Sequence, residues 1–228
     1  MENLYHVLSR GVDKRKIFDS DQDYLRFIHN LFVFNDQQPI NGRYLFKKLP
    51  IYDIARRNFA IKERLPRKLL VKIHCFCLMP NHYHLLLSPL IDGGISLFMK
   101  RVNMGYAKYF NQKYQRQGTL FQGRFKSILI TQEAHFIHLP YYIHLNPLDI
   151  NFGEWRERCL TDCKKATKFL DSYRWSSHLD YLSKNNFPSV TQRDFLDSFF
   201  GGPKNYKEAI NQWLENLDLK SISTVSLE

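Results

Sequence analysis

Cysteine is scarce, with only Cys75, Cys77, Cys159 and Cys163 in 228 residues. That excludes a scaffold built on disulfides and fits reduced thiols in a reducing compartment. A zinc centre made from Cys-x-Cys and Cys-x-x-x-Cys would lack the usual two-residue spacers, so small buried side chains are the expected role. Long apolar runs are also missing. Nothing approaches the ~18 residues needed to cross a bilayer. The opening MENLYHVLSRG has no basic stretch followed by an apolar one, so no secretory signal is expected and the cytoplasm is the expected location. Neither internal repeats nor low-complexity blocks occur. The most uneven scarcity is acid, because residues 93–132 contain no Asp or Glu at all.

What is present points to a folded chain with an anionic partner. A hydrophobic fraction of 44% and an aromatic fraction of 15% suffice for a well-filled core. The net charge of +11 is concentrated: residues 43–72 carry a local +8 and residues 93–132 a local +7, in an otherwise mildly acidic chain. Two such segments suggest a nucleic acid rather than a membrane, since neither pairs its charge with a clean apolar face.

The patterning predicts an alternation of strands and helices. LYHVLSRG alternates apolar and polar residues as a first strand, and DSDQDYLRFIHNLFVFN is a capped helix with Leu25, Ile28 and Phe32 at helical spacing. Residues 36–68 interrupt the pattern with Pro39, Pro50 and Pro66 and are expected to be a basic insertion. LLVKIHCFCLMP and HYHLLLSPL predict two strands around a Pro-Asn turn. SLFMKRVNMGYAKYFNQKY predicts a long helix, and TLFQGRFKSILI a fourth strand carrying Arg124 and Lys126. TQEAHFIHLPYYIHLNP predicts a third helix with a break at Pro140. The order β-α-β-β-α-β plus a helix is that of an α+β, ferredoxin-like split βαβ sandwich, with an antiparallel-centred sheet and helices on one face. Residues 1–150 are expected to form this unit and residues 151–228 a helical extension.

The stretch MPNHYHLLLSP raises the chemical question. In a strand His82 and His84 project from one side and Tyr83 and Leu85 from the other, so two imidazoles can converge on one cation. In YYIHLNP, Tyr142 and Asn146 stand four apart on a helix and share a face. Two imidazoles and a carboxamide oxygen suit Mg²⁺ or Mn²⁺ with phosphate oxygens, and a phenol beside that ion is a candidate nucleophile towards phosphorus. The plain alternative makes Tyr142 core and Asn146 a helix end before Pro147.

CLMPNHYHLLLSP, YFNQKYQRQGTLFQGRFKS, YYIHLNP and YRWSSH together resemble the single-tyrosine (HUH) transposases of the IS200/IS605 type, most of all their REP-associated relatives. The resemblance runs from about residue 4 to residue 182. It implies that His82, His84 and Asn146 bind the divalent metal and that Tyr142 attacks single-stranded or hairpin DNA, forming a 5′-phosphotyrosine bond. It implies a nicking and rejoining enzyme acting as a monomer or homodimer. Arg101, Lys108, Lys113, Arg116, Arg124 and Lys126 are then the candidate DNA contacts. Pro140 leaves Tyr141 as a second candidate nucleophile, should the helix register shift. A domesticated DNA- or RNA-binding regulator and a hydrolytic metalloenzyme are the alternative functions.

Overall fold

A computed structural model describes residues 3–38, 67–153, 155, 160 and 162–215. Most of the basic insertion, Cys159 and the chain beyond residue 215 therefore lie outside the described residues. Four strands form one antiparallel sheet in the order β2-β3-β1-β4. They are β1 (Tyr5–Arg10), β2 (Val71–Met79), β3 (His82–Pro89) and β4 (Lys126–Leu129). This is the expected α+β sandwich, with the histidine strand central in the sheet.

The helices form where caps and apolar faces coincide. In α1 (Asp21–Val33), Ser20 and Asp23 make a reciprocal capping box. The buried face is Tyr24, Phe27, Ile28 and Leu31, rather than the predicted Leu25, Ile28 and Phe32. The shift follows from aromatic packing: Phe27 meets Tyr83 and Tyr106, and Tyr24 stacks on Trp175. In α2 (Gly94–Lys113), Phe98, Val102, Tyr106 and Phe110 are buried as their spacing predicts. These two helices cover the sheet face that carries Val7, Phe76, Tyr83, Leu85 and Leu87. Each such large side chain contributes about 1.5–3 kcal/mol on burial.

Helices were expected on one face only, but the other face is covered as well, because Cys75, Cys77, Met79 and Leu86 make it apolar: α3 (Glu133–Leu145), which runs unbroken through Pro140, and the helices that follow pack there. Beyond a 3₁₀ segment at Asn146–Ile150 come α4 (Cys163–Ser172), α5 (His178–Tyr181), α6 (Asp194–Phe200) and α7 (Pro203–Glu215). Part of YRWSSH is not helical as predicted. It extends along the free edge of β2, where Leu78 N–H donates to the Trp175 carbonyl and Ser177 N–H to that of Phe76. Backbone groups that an open strand edge would leave unpaired are satisfied in this way. Arg124 likewise falls before β4, because Gly123 turns the chain at φ +67° and shortens that strand to four residues. A register shift at His74 lets β2 keep Phe76 and Leu78 on the first face while Cys77 and Met79 stand opposite His84 and His82. Cys75 and Cys77 are fully buried, and burial pushes both thiols up, so they are inert core groups. No helix among the described residues is long and apolar enough to cross a membrane.

A buried polar chain fastens the C-terminal helices to α3. Asp171 can only accept, so His178 Nε2–H donates to it at 3.3 Å. His178 Nδ1 therefore accepts from the Tyr206 hydroxyl at 2.7 Å, and Tyr206 in turn accepts from His144 Nδ1–H at 2.8 Å. His144 Nε2 accepts from the Ser177 hydroxyl at 2.8 Å, and Ser177 Oγ receives Phe76 N–H. Every link is satisfied with both imidazoles neutral. Burial lowers both their proton affinities, consistent with that assignment. The His178 contact, helped by Lys184, holds the Asp171 carboxyl down at about 2.

Tyr206→Phe should leave two buried imidazole nitrogens without their partner and cost about 1–3 kcal/mol, seen as a lowered urea midpoint. The pH dependence has a definite sign. His178 binds protons more weakly folded than unfolded, so its neutral form supports the fold above about pH 6.5 and that support is lost as pH falls below it. Thermal unfolding midpoints should be level between about pH 7 and 8 and fall towards pH 5, as the unfolding free energy drops by up to about 1.4 kcal/mol per pH unit for one histidine. A midpoint that is flat from pH 7 to 5 would contradict the assigned chain.

Candidate active site

The site starts with the turn that enters β3. Pro80 and Asn81 carbonyls accept from Ile17, Phe18 and Gly11 N–H groups, which ties the β2–β3 turn to the end of β1. Asn81 Nδ2 donates to the Lys14 carbonyl at 3.2 Å. That orients the carboxamide so that its Oδ1 accepts from His82 Nδ1 at 2.6 Å. His82 is thereby held as the Nδ1–H tautomer, with its lone pair on Nε2. Along β3, Tyr83, Leu85 and Leu87 enter the first core, and His82, His84 and Leu86 occupy the opposite face. Strand alternation explains why imidazoles can sit in this apolar run without breaking either core.

The two rings lie 4.9 Å apart, centroid to centroid, nearly perpendicular at 83°. His84 is fully buried, and His82 is only 6% exposed. From α3, the Tyr142 ring comes within 5.8 Å of His84, edge-on at 87°. Tyr141 points elsewhere. Its ring packs against Phe200, Tyr206 and Trp213 of the C-terminal helices, and burial raises its phenol. The unbroken helix thus presents Tyr142 to His84. Asn146 lies one turn on and is fully buried; its backbone N–H and its Nδ2, at 2.8 Å, both donate to the Tyr142 carbonyl. Its amide nitrogen is committed to the helix end, which makes Oδ1 the atom able to serve as a ligand.

Among the described residues, no group of three or more His, Cys, Asp or Glu side chains could hold a metal ion. A cation at His82 and His84 would draw its remaining ligands from uncharged oxygen such as Asn146 Oδ1, or from a bound anion. This donor set fits a hard divalent ion that keeps open positions.

The predicted cations divide into two groups. Lys126 stands opposite Leu8, which stands opposite His84, so these residues share the histidine face across three strands. Arg124 is exposed just before it. Arg101, Lys108 and Lys113 belong to α2, on the opposite face of the sheet. Arg101 donates to the Asp36 carbonyl, and Lys113 pairs with buried Asp23 at 2.7 Å. Arg116 bonds Asn111 and lies over the Phe110 ring.

Two neighbours escaped the sequence reading. Arg10 pairs with His82 in the β1–β3 register and so shares its face. His6 is fully buried, and its Nε2 is 2.9 Å from His84 Nδ1. Both belong to LYHVLSRG, whose alternation marks a strand but not which residue it will face. Strand pairing was the missing signal.

Residues 47–146 match the family model described as "Transposase IS200 like", a span that includes His82, His84 and Tyr142 and ends on Asn146. This bears out the resemblance over the first three motifs, from Cys77 to Asn146; YRWSSH lies outside the matched span. No curated protein matches. Among solved structures, the chain is similar to "Structure of the REP associates tyrosine transposase bound to a REP hairpin", at 13% identity and a TM-score of 0.49, over 85% of this chain and 88% of that one.

Proposed function

We propose that this chain, with the IS200-like transposase match over residues 47–146 as the starting point, is a metal-dependent single-stranded DNA transposase that nicks and rejoins DNA at hairpin or palindromic sites through Tyr142. The observation that carries the reading is the edge-on approach of the Tyr142 ring to His84, with Tyr141 turned into the C-terminal helices. The Tyr142 phenol gives up its proton as its oxygen attacks the scissile phosphorus; a bond forms between them, and the bond from phosphorus to the 3′-oxygen breaks. The DNA 5′-phosphate is then esterified to Tyr142, and the released 3′-oxygen takes up a proton. A 3′-hydroxyl attacking the same phosphorus reverses these bonds and frees the phenol, so rejoining needs no external energy source.

His82, His84 and Asn146 Oδ1 would hold Mg²⁺ or Mn²⁺. When bound, such an ion would supply charge to the scissile phosphate as it develops negative character. Arg10 across from His82, and Lys126 further along the same face, hold phosphate oxygens near the histidine pair. The α3 helix, anchored by the His144–Tyr206 chain, fixes the Tyr142 position. The surface cations add contacts to the DNA backbone that weaken with salt.

Incubation with single-stranded hairpin DNA and Mn²⁺ should give a protein–DNA adduct that survives denaturant. Tyr142→Phe should abolish it, and Tyr141→Phe should retain it. DNA binding with no cleavage would favour the domesticated regulator, and cleavage persisting in Tyr142→Phe would favour hydrolysis. Arg10→Ala should slow adduct formation roughly 100-fold, as loss of a group that stabilises developing charge does elsewhere. An unchanged single-turnover rate would remove Arg10 from the site.

A further inference from the structure

His82 and His84 share a detail that the proposed chemistry does not by itself require: each has its Nδ1 held by a buried or half-buried partner. For His82 the partner is Asn81 Oδ1, an obligate acceptor in the orientation set by the Lys14 carbonyl. For His84 it is His6 Nε2, at 2.9 Å. An imidazole can serve as either donor or acceptor there, and the two choices have opposite consequences. If His6 donates, the His84 proton sits on Nε2 and that nitrogen cannot ligate a cation. If His84 Nδ1–H donates, the lone pair lies on His84 Nε2, as it does on His82.

We infer that His6 is the positioning residue for His84: it accepts the Nδ1 proton and holds the ring with its Nε2 lone pair available as a ligand atom. This rests on the cation reading of the site given above. The placement is built in by the sheet. In the β1–β3 register His6 stands opposite Leu86 and Leu8 opposite His84, so His6 is the diagonal neighbour of His84 on the same face. The two rings meet edge to edge and nearly coplanar, with centroids 5.1 Å apart and 20° between their planes, as an in-plane N–H···N bond requires, and the His6 ring also meets the Tyr142 ring edge-on at 6.4 Å. One side chain therefore sets both the tautomer of a ligand and one wall against the nucleophile. His6 does not act as a third ligand, because its Nε2 is directed at His84 rather than at a shared centre. An outer partner of this kind fixes ring orientation and raises ligand basicity, and its loss typically weakens metal binding by about 10–100-fold.

The test uses the full chain with His6→Gln and His6→Leu. Glutamine can return a carboxamide oxygen close to the place of imidazole Nε2; leucine cannot. Nitrogen-15 NMR of the histidine side chains, recorded without metal, should show His84 as the Nδ1–H tautomer in the wild type and in His6→Gln, and shifted towards Nε2–H in His6→Leu. Mn²⁺ titration by calorimetry should give affinity within a few-fold of wild type for His6→Gln and roughly 10–100-fold weaker for His6→Leu. Finding His84 as Nε2–H in the wild type, or Nδ1–H undisturbed in His6→Leu, would overturn the assignment. So would wild-type Mn²⁺ affinity in a folded His6→Leu protein. If His6→Leu does not fold, the wild-type tautomer and the His6→Gln titration still decide. A correct tautomer in a wild type that binds no Mn²⁺ would instead sink the cation reading and leave the His6–His84 proton assignment standing.

Discussion

The antiparallel pairing of β1 with β3 is the constraint on which the site depends. Because side chains alternate faces every residue, a slip of one position would send His82 and His84 into the aromatic core and bring Tyr83 and Leu85 to the other side. That slip is prevented from both faces at once. Tyr83, Leu85 and Leu87 are locked among Phe27, Val102 and Tyr106, while Leu86 packs with Cys75, Cys77 and α3. Two apolar cores therefore fix a polar alignment. Arg10 beside His82 and His6 beside His84 follow from it without any further device.

The second requirement is that α3 reach the strand pair with the correct tyrosine. Pro140 sits within the helix, yet the helix continues, since tertiary packing on both flanks offsets one missing backbone hydrogen bond. The C-terminal helices hold Tyr141 by ring packing and His144 by hydrogen bonds, and these two anchors leave Tyr142 facing the histidines. The extension thus acts on the site from behind, through Tyr141 and His144, which flank Tyr142 along α3.

Legibility in the sequence varied with how local the signal was. The elements of the α+β sandwich, the Tyr106 and Phe110 face of α2 and the pairing of Tyr142 with Asn146 on one helix all follow from spacings within a dozen residues. Misjudged features depended on distant partners. The buried face of α1 was shifted by Tyr83 and Trp175, and residues 174–177 left a helical pattern to satisfy the β2 edge. The charge of residues 93–132 was evident, but not that α2 would carry much of it to the face opposite His82 and His84, nor that Lys113 would be spent on a buried carboxylate.

By itself the sequence determined which groups are available: a histidine pair on one side of a strand, a phenol and a carboxamide on one side of a helix, and motifs that resemble those of the IS200-like transposases, whose family model matches residues 47–146. Those follow from local periodicity, which the backbone imposes wherever the chain is regular. Tertiary structure alone decided that Tyr142 and not Tyr141 faces the pair, and that His6 and Arg10 join it. Strand register and helix packing bring together residues more than seventy positions apart, and no local spacing encodes such a meeting.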